Sequence, residues 1–206
     1  MGNCPPNLMA ITKTIIINKA LTQIGAARVT SIDDGSAKAL LLTSVYEAAL
    51  RSVLSECKWN FATKRAALAT NSTITLGFYD VGQTIVYDRP TDVIQIHDTA
   101  PANATWRDEG DYIISDSSDM ALRYVYYLDD VTKYPIYFVD ALIDKLSVDI
   151  AYVVVNDKNL AETFIKKYEG ITLPKAVSMN SQVGQQQVPK DEAWLNSKYT
   201  DGSIDS

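Results

Sequence analysis

Acidic side chains between short β-branched runs are the residues of this sequence best suited to catalysis. Asp108, Glu109 and Asp111 surround the glycine of the segment DEGD, and Asp129 is followed directly by Asp130. A pair of carboxylates can cleave a glycosidic bond when one donates a proton and the other acts as base or nucleophile. Turns between strands also collect Asp, because its side chain hydrogen-bonds the local backbone. We therefore predict turns at both positions in preference to a catalytic site.

The chain contains a single histidine, His97, within the alternating run VIQIHD. His97 and Asp98 do not form a catalytic dyad in an extended strand, because adjacent residues point to opposite faces. We predict a surface histidine near the end of a strand. Cys4 and Cys57 are far apart in sequence, and two distant cysteines with one histidine make a poor zinc site.

Carboxylates also occur at helical spacing. Asp140 and Asp144 are one turn apart, and Lys145 precedes Asp149 by four residues, as in an exposed ion pair. A solvated or subunit-facing surface accounts for both pairs. The signatures HExxH, CxxC, GxSxG, Walker A and GxGxxG do not occur. The sequence predicts no enzymatic activity, no metal site and no cofactor.

Charge is distributed unevenly along the 206 residues, whose net charge is −6. Residues 1–62 carry +2, residues 63–132 carry five basic and eleven acidic side chains, residues 133–180 are balanced, and residues 181–206 carry −2. A protein that grips DNA phosphates needs a basic stripe, so specific nucleic-acid binding is not expected. No apolar run approaches the ~20 residues of a membrane helix, and no membrane partner is expected.

Apolar residues at helical spacing predict four helices that would position these side chains. The first lies within residues 9–24 and ends at Gly25, although its run Ile15-Ile16-Ile17 also suits a strand. The second runs from Ala37 to Cys57 with Ser36 as its N-cap, and its predicted apolar stripe is Leu42, Val45, Ala49 and Val53. The third follows Pro135, and its predicted buried stripe is Phe138, Leu142, Leu146, Ile150 and Val153. The inner face of the fourth is Leu160, Ala161, Phe164, Ile165 and Tyr168, and Gly170 and Pro174 should bend or break that helix.

Between Thr63 and Leu128 the pattern changes to short runs separated by turn residues. These runs are RAALAT, TITLGFY, TIVYD, DVIQIHD, DYIIS and ALRYVYYL. They predict five to seven antiparallel strands in a small sandwich or barrel. The predicted fold is α+β: a four-helix core of two helical hairpins (residues 1–62 and 133–180), an inserted β domain (63–132) and an extended C-terminal tail (181–206).

The stretch SECKWNFATKRAALA lies where the second helix passes into the β insert. Large aromatic residues at such a junction most often fill it with buried apolar surface. We therefore interpret Trp59, Asn60 and Phe61 as a structural junction, with Lys64 and Arg65 pointing outward and Arg65 at a surface or subunit contact.

The predicted tail is polar and rich in glutamine, yet it contains Val188, Trp194, Leu195 and Tyr199. Large apolar side chains in a polar segment are costly to leave in water, and such segments often become ordered on a partner. These four residues are the candidate partner-binding residues.

Several short motifs occur in a characteristic order. They are ALTQIG, VTSIDDGS, the helix containing Tyr46 and Leu54, WNFATKRAALA, VYDRPTDVIQI, DEGDYIISD, LRYVYY, FVDALIDKLSVDIAY, Tyr168 and DEAWL. This ordered set covers nearly the whole chain and resembles the head-to-tail adaptor of short-tailed bacteriophages, the tail tubular protein A family. Each motif alone is weak, and the order carries the resemblance.

The resemblance implies a structural virion protein in the neck of the tail, assembled in the host cytoplasm as a dodecameric ring. Its expected partners are further copies of itself, the portal protein, the tail nozzle protein and, in addition, tail fibres. DNA would pass through the ring without specific binding. Trp194 and Leu195 would anchor the tail on the portal. The alternatives are a tail-completion or nozzle protein at another position and a tail-associated cell-wall hydrolase.

Overall fold

A computed structural model of the chain describes residues 11–78 and 82–183, and within these ranges a helical core adjoins two small antiparallel sheets. The predicted α+β fold class is confirmed. The first helix, α1 (Lys13–Gln23), ends as predicted at Gly25, which adopts a φ of +72°. The amide of Ala26 donates to the Leu21 carbonyl at 2.8 Å, the bond of a Schellman motif.

The second helix, α2 (Ala37–Ser55), begins where its N-cap predicts. The hydroxyl of Ser36 accepts a hydrogen bond from the amide of Ala39 at 3.1 Å. Its predicted apolar stripe is buried and packs on α3 (Ile136–Ile150), the helix at the centre of the core. α1 and α2 each pack more extensively on α3 than on each other.

A π-helical turn, Ala151–Val155, continues α3 and changes which of its side chains point toward the core. Phe138, Leu142, Leu146 and Ile150 are fully buried, as predicted. Val153 is 54% exposed, and its predicted burial is wrong because the wider turn rotates it away from the core. Asn156 then adopts left-handed backbone angles, and the side chain of Asp157 caps the next helix.

The fourth predicted helix becomes irregular near Gly170, where a bend or break was predicted, and then continues as a helix. It comprises α4 (Lys158–Lys167), a π-helical turn (Tyr168–Thr172) and α5 (Leu173–Gln182). Pro174 is accommodated near the start of α5, where a missing amide donor costs least. Residues 181 and 182, assigned to the tail from sequence, belong to α5, and the tail from residue 184 onward lies outside the described residues.

Among residues 63–78 and 82–132, six strands form the β insert: β1 (Thr63–Ala67), β2 (Ile85–Asp88), β3 (Val93–Ala100), β4 (Trp106–Asp108), β5 (Tyr112–Ser115) and β6 (Ala121–Tyr126). They form one sheet in the order β1-β6-β3 and another in the order β2-β5-β4, all antiparallel. A second, smaller core, which includes Tyr87, Ile113, Met120, Leu122 and Tyr124, is distinct from the main core of the helices.

Among the described residues, one predicted strand is absent, and one observed strand was not predicted. Residues 73–78 of the run TITLGFY form no strand. The side chain of Asn71 instead accepts hydrogen bonds from the amide and hydroxyl of Thr73, so a local turn replaces sheet pairing. β4 was missed because it has only three residues, two of them charged, and depends on pairing with β5.

The junction between α2 and β1 is held by a tryptophan and by two asparagines that are distant in sequence. Trp59 has no exposed surface, and its indole Nε1 donates to the Val53 carbonyl at 2.7 Å. The amide of Asn60 donates to Oδ1 of the buried Asn180 at 3.0 Å, and Asn180 Nδ2 donates to the Lys58 carbonyl at 2.9 Å. The end of α5 is thereby fixed to the start of the β insert.

Replacement of Trp59 by Phe should lower the free energy of unfolding by about 2–3 kcal/mol, because the buried Val53 carbonyl loses the shorter of its two hydrogen bonds and the smaller ring leaves a cavity. Urea unfolding of the full-length chain measures this. Phe78→Ala is the matched control, since that ring is 80% exposed and its loss should change stability by less than about 0.5 kcal/mol. Equal effects of the two substitutions would contradict the assignment.

Candidate functional site

The acidic residues around DEGD form the turn between β4 and β5. Asp108 accepts hydrogen bonds from Arg89 Nε at 2.9 Å and from the Gly110 amide at 3.1 Å. Gly110 adopts a φ of +89°, the left-handed conformation that such a turn requires. Asp130 likewise caps a short 3₁₀ turn, Val131–Lys133, and Asp129 pairs with Lys13 of α1. Asp108 and Asp130 thus have the local turn roles predicted for them, whereas Asp129 makes a tertiary ion pair.

Asp140 and Asp144 differ in their surroundings, and the prediction that both lie on a solvated or subunit-facing surface is wrong for Asp144. Its side chain is only 5% exposed, whereas Asp140 is exposed. The Asp144 carboxylate accepts from Lys167 Nζ at 2.7 Å and from the Thr172 hydroxyl at 2.6 Å. The π-helical turn after α4 packs over α3 at this point and buries the carboxylate between two donors.

His97 also differs from its prediction. The register of β3 against β6 shifts between Ile96 and Asp98, so His97 occupies a β-bulge within the strand. Both ring nitrogens are shielded from solvent and have no hydrogen-bond partner among the described residues. Burial lowers the pKa of His97, and the nearby positive charges of Lys58 and Arg123 lower it further, while Asp98 opposes them.

The residues predicted to form the helix–sheet junction lie together in the structure. Lys64 and Arg65, which were predicted to point outward, are exposed. The ring of Phe61 is half-buried, with its centroid 4.7 Å from that of Phe138 in the core. Lys64 pairs with Asp92, which directly precedes β3, and Arg65 lies exposed on β1 opposite Arg123. Val188, Trp194, Leu195 and Tyr199 lie outside the described residues.

An open groove of about 880 Å³ separates α1 from α5 and has α3 as its floor; we call it the α1–α5 groove. Three of its apolar side chains are exposed: Ile136 by 56%, Ile171 by 65% and Met179 by 38%. Sequence patterning did not predict this groove. The only signal of the groove in the sequence is an isoleucine, such as Ile136, outside the buried stripe of an amphipathic helix. Such a residue does not reveal which helices flank the groove.

The α1–α5 groove has a basic rim. Lys19 on α1, Arg28 in the following loop and Lys175 on α5 line it and are exposed. Within residues 11–78 and 82–183, none of the three forms an ion pair. Asp144 is already paired with Lys167, so Asp140 is the acidic group of the groove that is open to solvent. The groove therefore combines apolar surface with net positive charge.

The outward side of α2 combines apolar surface with negative charge. Leu40 is 64% exposed and Leu41 is 41% exposed, and Ser44, Glu47 and Ala48 continue the same exposed side. We call these five residues, with the preceding pair Asp33 and Asp34, the α2 face. Hydrogen bonds from Ser36 lower the pKa of Asp34, so this carboxylate is charged at neutral pH.

Groups of three or more metal ligands and membrane-spanning helices are both absent from the described residues. Within them, no three His, Cys, Asp or Glu side chains are grouped so that they could hold a metal ion. None of the described helices combines the length and hydropathy that a membrane crossing requires.

A scan against protein-family models and a search of curated proteins find no match to the chain.

Replacing Asp144 by Ala should destabilise the chain by about 1–3 kcal/mol, because Thr172 loses its acceptor and the contact between α3 and the π-helical turn is weakened. Lys167 is 44% exposed and can be hydrated, which limits the loss. Asp140→Ala, one turn away on the same helix, should cost less than about 0.5 kcal/mol. Urea unfolding distinguishes the two, and a larger effect of Asp140→Ala would contradict the described geometry.

Protonation of His97 should destabilise the fold. Because the pKa of His97 is lower in the folded than in the unfolded chain, its stabilising effect is complete above pH of about 6.5 and is lost as pH falls below that value toward the folded pKa. The urea concentration at the unfolding midpoint should therefore decrease as the pH is lowered from about 7.5 to about 5.5. His97→Leu should reduce this fall, since His97 is the only histidine. An unchanged pH dependence in the variant would show that His97 is not responsible.

Proposed function

We propose that this chain is a structural virion protein, the head-to-tail adaptor that forms a ring between the portal and the tail nozzle of a short-tailed bacteriophage. The observation that carries the proposal is that one helical core presents two different surfaces, the α1–α5 groove and the α2 face. A closed ring of identical subunits requires two unlike contact surfaces on each subunit. The ordered motifs that resemble the adaptor family give this ring its position in the virion.

The charge of the β insert supports a role beside a DNA channel without DNA binding. Residues 63–132 carry five basic and eleven acidic side chains. Arg89, Lys64 and Arg123 are engaged with Asp108, Asp92 and Asp98 within the insert. Few cations are therefore left to neutralise phosphates, and a repulsive wall lets DNA slide.

The position of α5 supports a role for the tail in attachment to the portal. Asn180 is fixed to Asn60 and to the Lys58 carbonyl, so the tail starts from a defined point beside the junction with the β insert. In our proposal Trp194 and Leu195 anchor on the portal, with Val188 and Tyr199 beside them. The β insert is then the platform for the nozzle and for tail fibres.

Electron microscopy of the full-length chain mixed with the portal protein of the same virus tests this proposal. The wild-type chain should form a ring seated on the portal. The double substitution Trp194→Ala and Leu195→Ala should abolish attachment, because it removes both proposed anchors; urea unfolding of the same variant measures its stability. Asn196→Ala is the matched control and should attach normally.

Two results would count against different parts of the proposal. Absence of any wild-type ring on the portal would refute the adaptor role. Normal attachment of the double variant would refute the tail anchors and leave the adaptor role standing. Substitution is preferable to truncation near residue 180, because Asn180 holds the junction.

A further inference from the structure

We propose that the α2 face of one copy of this chain docks in the α1–α5 groove of the next copy, and that this contact builds the ring. The inference rests on the proposed adaptor function and names the surfaces that meet. Its occupant is a second copy of the chain, chosen because the two surfaces match in shape, in apolar character and in charge.

The shape of the groove suits a helix. Its two walls, α1 and α5, both pack on α3 and leave between them a strip of α3 that contains Ile136 and Asp140. A helix commonly fills such a space by placing an apolar side into it. On the α2 face, Leu40 and Leu41 provide the large side chains, and the small residues Ser44 and Ala48 allow close approach along the next turns.

Charge decides between the α2 face and the other exposed apolar surface. Lys19, Arg28 and Lys175 line the groove and have no described carboxylate partner, whereas the α2 face carries Asp33, Asp34 and Glu47. The second apolar surface adjoins the α2 face at Ala48 and lies at the π-helical turn Ala151–Val155, where Tyr152 and Val153 are exposed. Its neighbouring charges, Lys145 and Asp149, already pair with each other at 3.3 Å, so they do not complement a basic groove.

The two surfaces are distinct, which determines the kind of assembly. No residue of α2 lines the α1–α5 groove. A contact between one copy's groove and another copy's α2 face therefore leaves one groove and one α2 face free for further copies. Such a heterologous contact continues to add subunits until a ring closes.

A mixing experiment with full-length variants tests this arrangement. The face variant carries Leu40→Glu and Leu41→Glu, and the groove variant carries Ile171→Glu and Lys175→Glu; all four positions are exposed, so the fold should be retained. Sedimentation velocity should show concentration-dependent wild-type species larger than dimers. Each variant alone should be monomeric, with association weakened at least tenfold, on the order expected for loss of central contacts.

The equimolar mixture of the two variants gives the most specific result. The face variant retains its groove and the groove variant retains its α2 face, so one functional contact remains and the mixture should form dimers and nothing larger. Phe78→Glu is the matched control, because it places a charge on an 80% exposed apolar side chain of the β insert that belongs to neither surface, and it should assemble like the wild type.

Five results would overturn the inference. Four of them are a wild-type chain that stays monomeric up to about 1 mM, a face or groove variant that assembles normally, a mixture without dimers, and loss of assembly in the Phe78→Glu control. Loss of assembly in the Trp194→Ala, Leu195→Ala variant would identify the tail as the occupant and would also overturn it. None of these results depends on the portal, so failure here is distinguishable from failure of the adaptor role.

Discussion

The buried junction between α2 and β1 is the constraint on which the arrangement of the whole chain depends. Trp59 ends α2 by bonding back to the Val53 carbonyl, and its ring packs edge-on against Phe138 of the central helix, with centroids 5.1 Å apart. Asn60 is tied to Asn180, which lies 120 residues later in the sequence. One small cluster thus fixes the start of the β insert, the end of α5 and the origin of the tail relative to α3. In the adaptor role that we propose, this rigidity is the functional contribution of the junction.

Two π-helical turns shape the surface that the helical core presents. The first, at the end of α3, turns Val153 outward, and the second, between α4 and α5, buries Asp144 and exposes Ile171. π-helical turns are energetically poor as regular structure and are frequent at functional sites. Here the second one supplies a wall of the α1–α5 groove, which connects this local irregularity with the surface we assign to subunit contact.

Local patterns predicted the elements that depend on local physics. The caps at Ser36 and Gly25, the buried stripe of α2, the turn at DEGD and the fold class all follow from side-chain spacing and backbone preference. The failures have non-local causes. The burial predicted for Val153 was wrong because a helical period of 3.6 residues does not reveal a π-helical turn. The surface position predicted for Asp144 was wrong because its partners Lys167 and Thr172 come from another segment. The bulge at His97 and the bond between Asn60 and Asn180 likewise depend on tertiary pairing. The groove could not be predicted, since it is a space between helices.

The central claim is that each copy contacts its neighbours through two unlike surfaces of one helical core. Cysteine cross-linking tests it most directly. Leu40→Cys in one chain and Ile171→Cys in another, both with Cys4 and Cys57 replaced by Ser, are mixed and oxidised, and the linked peptides are identified by mass spectrometry. The account predicts that the disulfide between positions 40 and 171 predominates. Predominant links between two copies of position 40 or two copies of position 171, or no link above that of a Leu40→Cys and Thr163→Cys control pair, would contradict it.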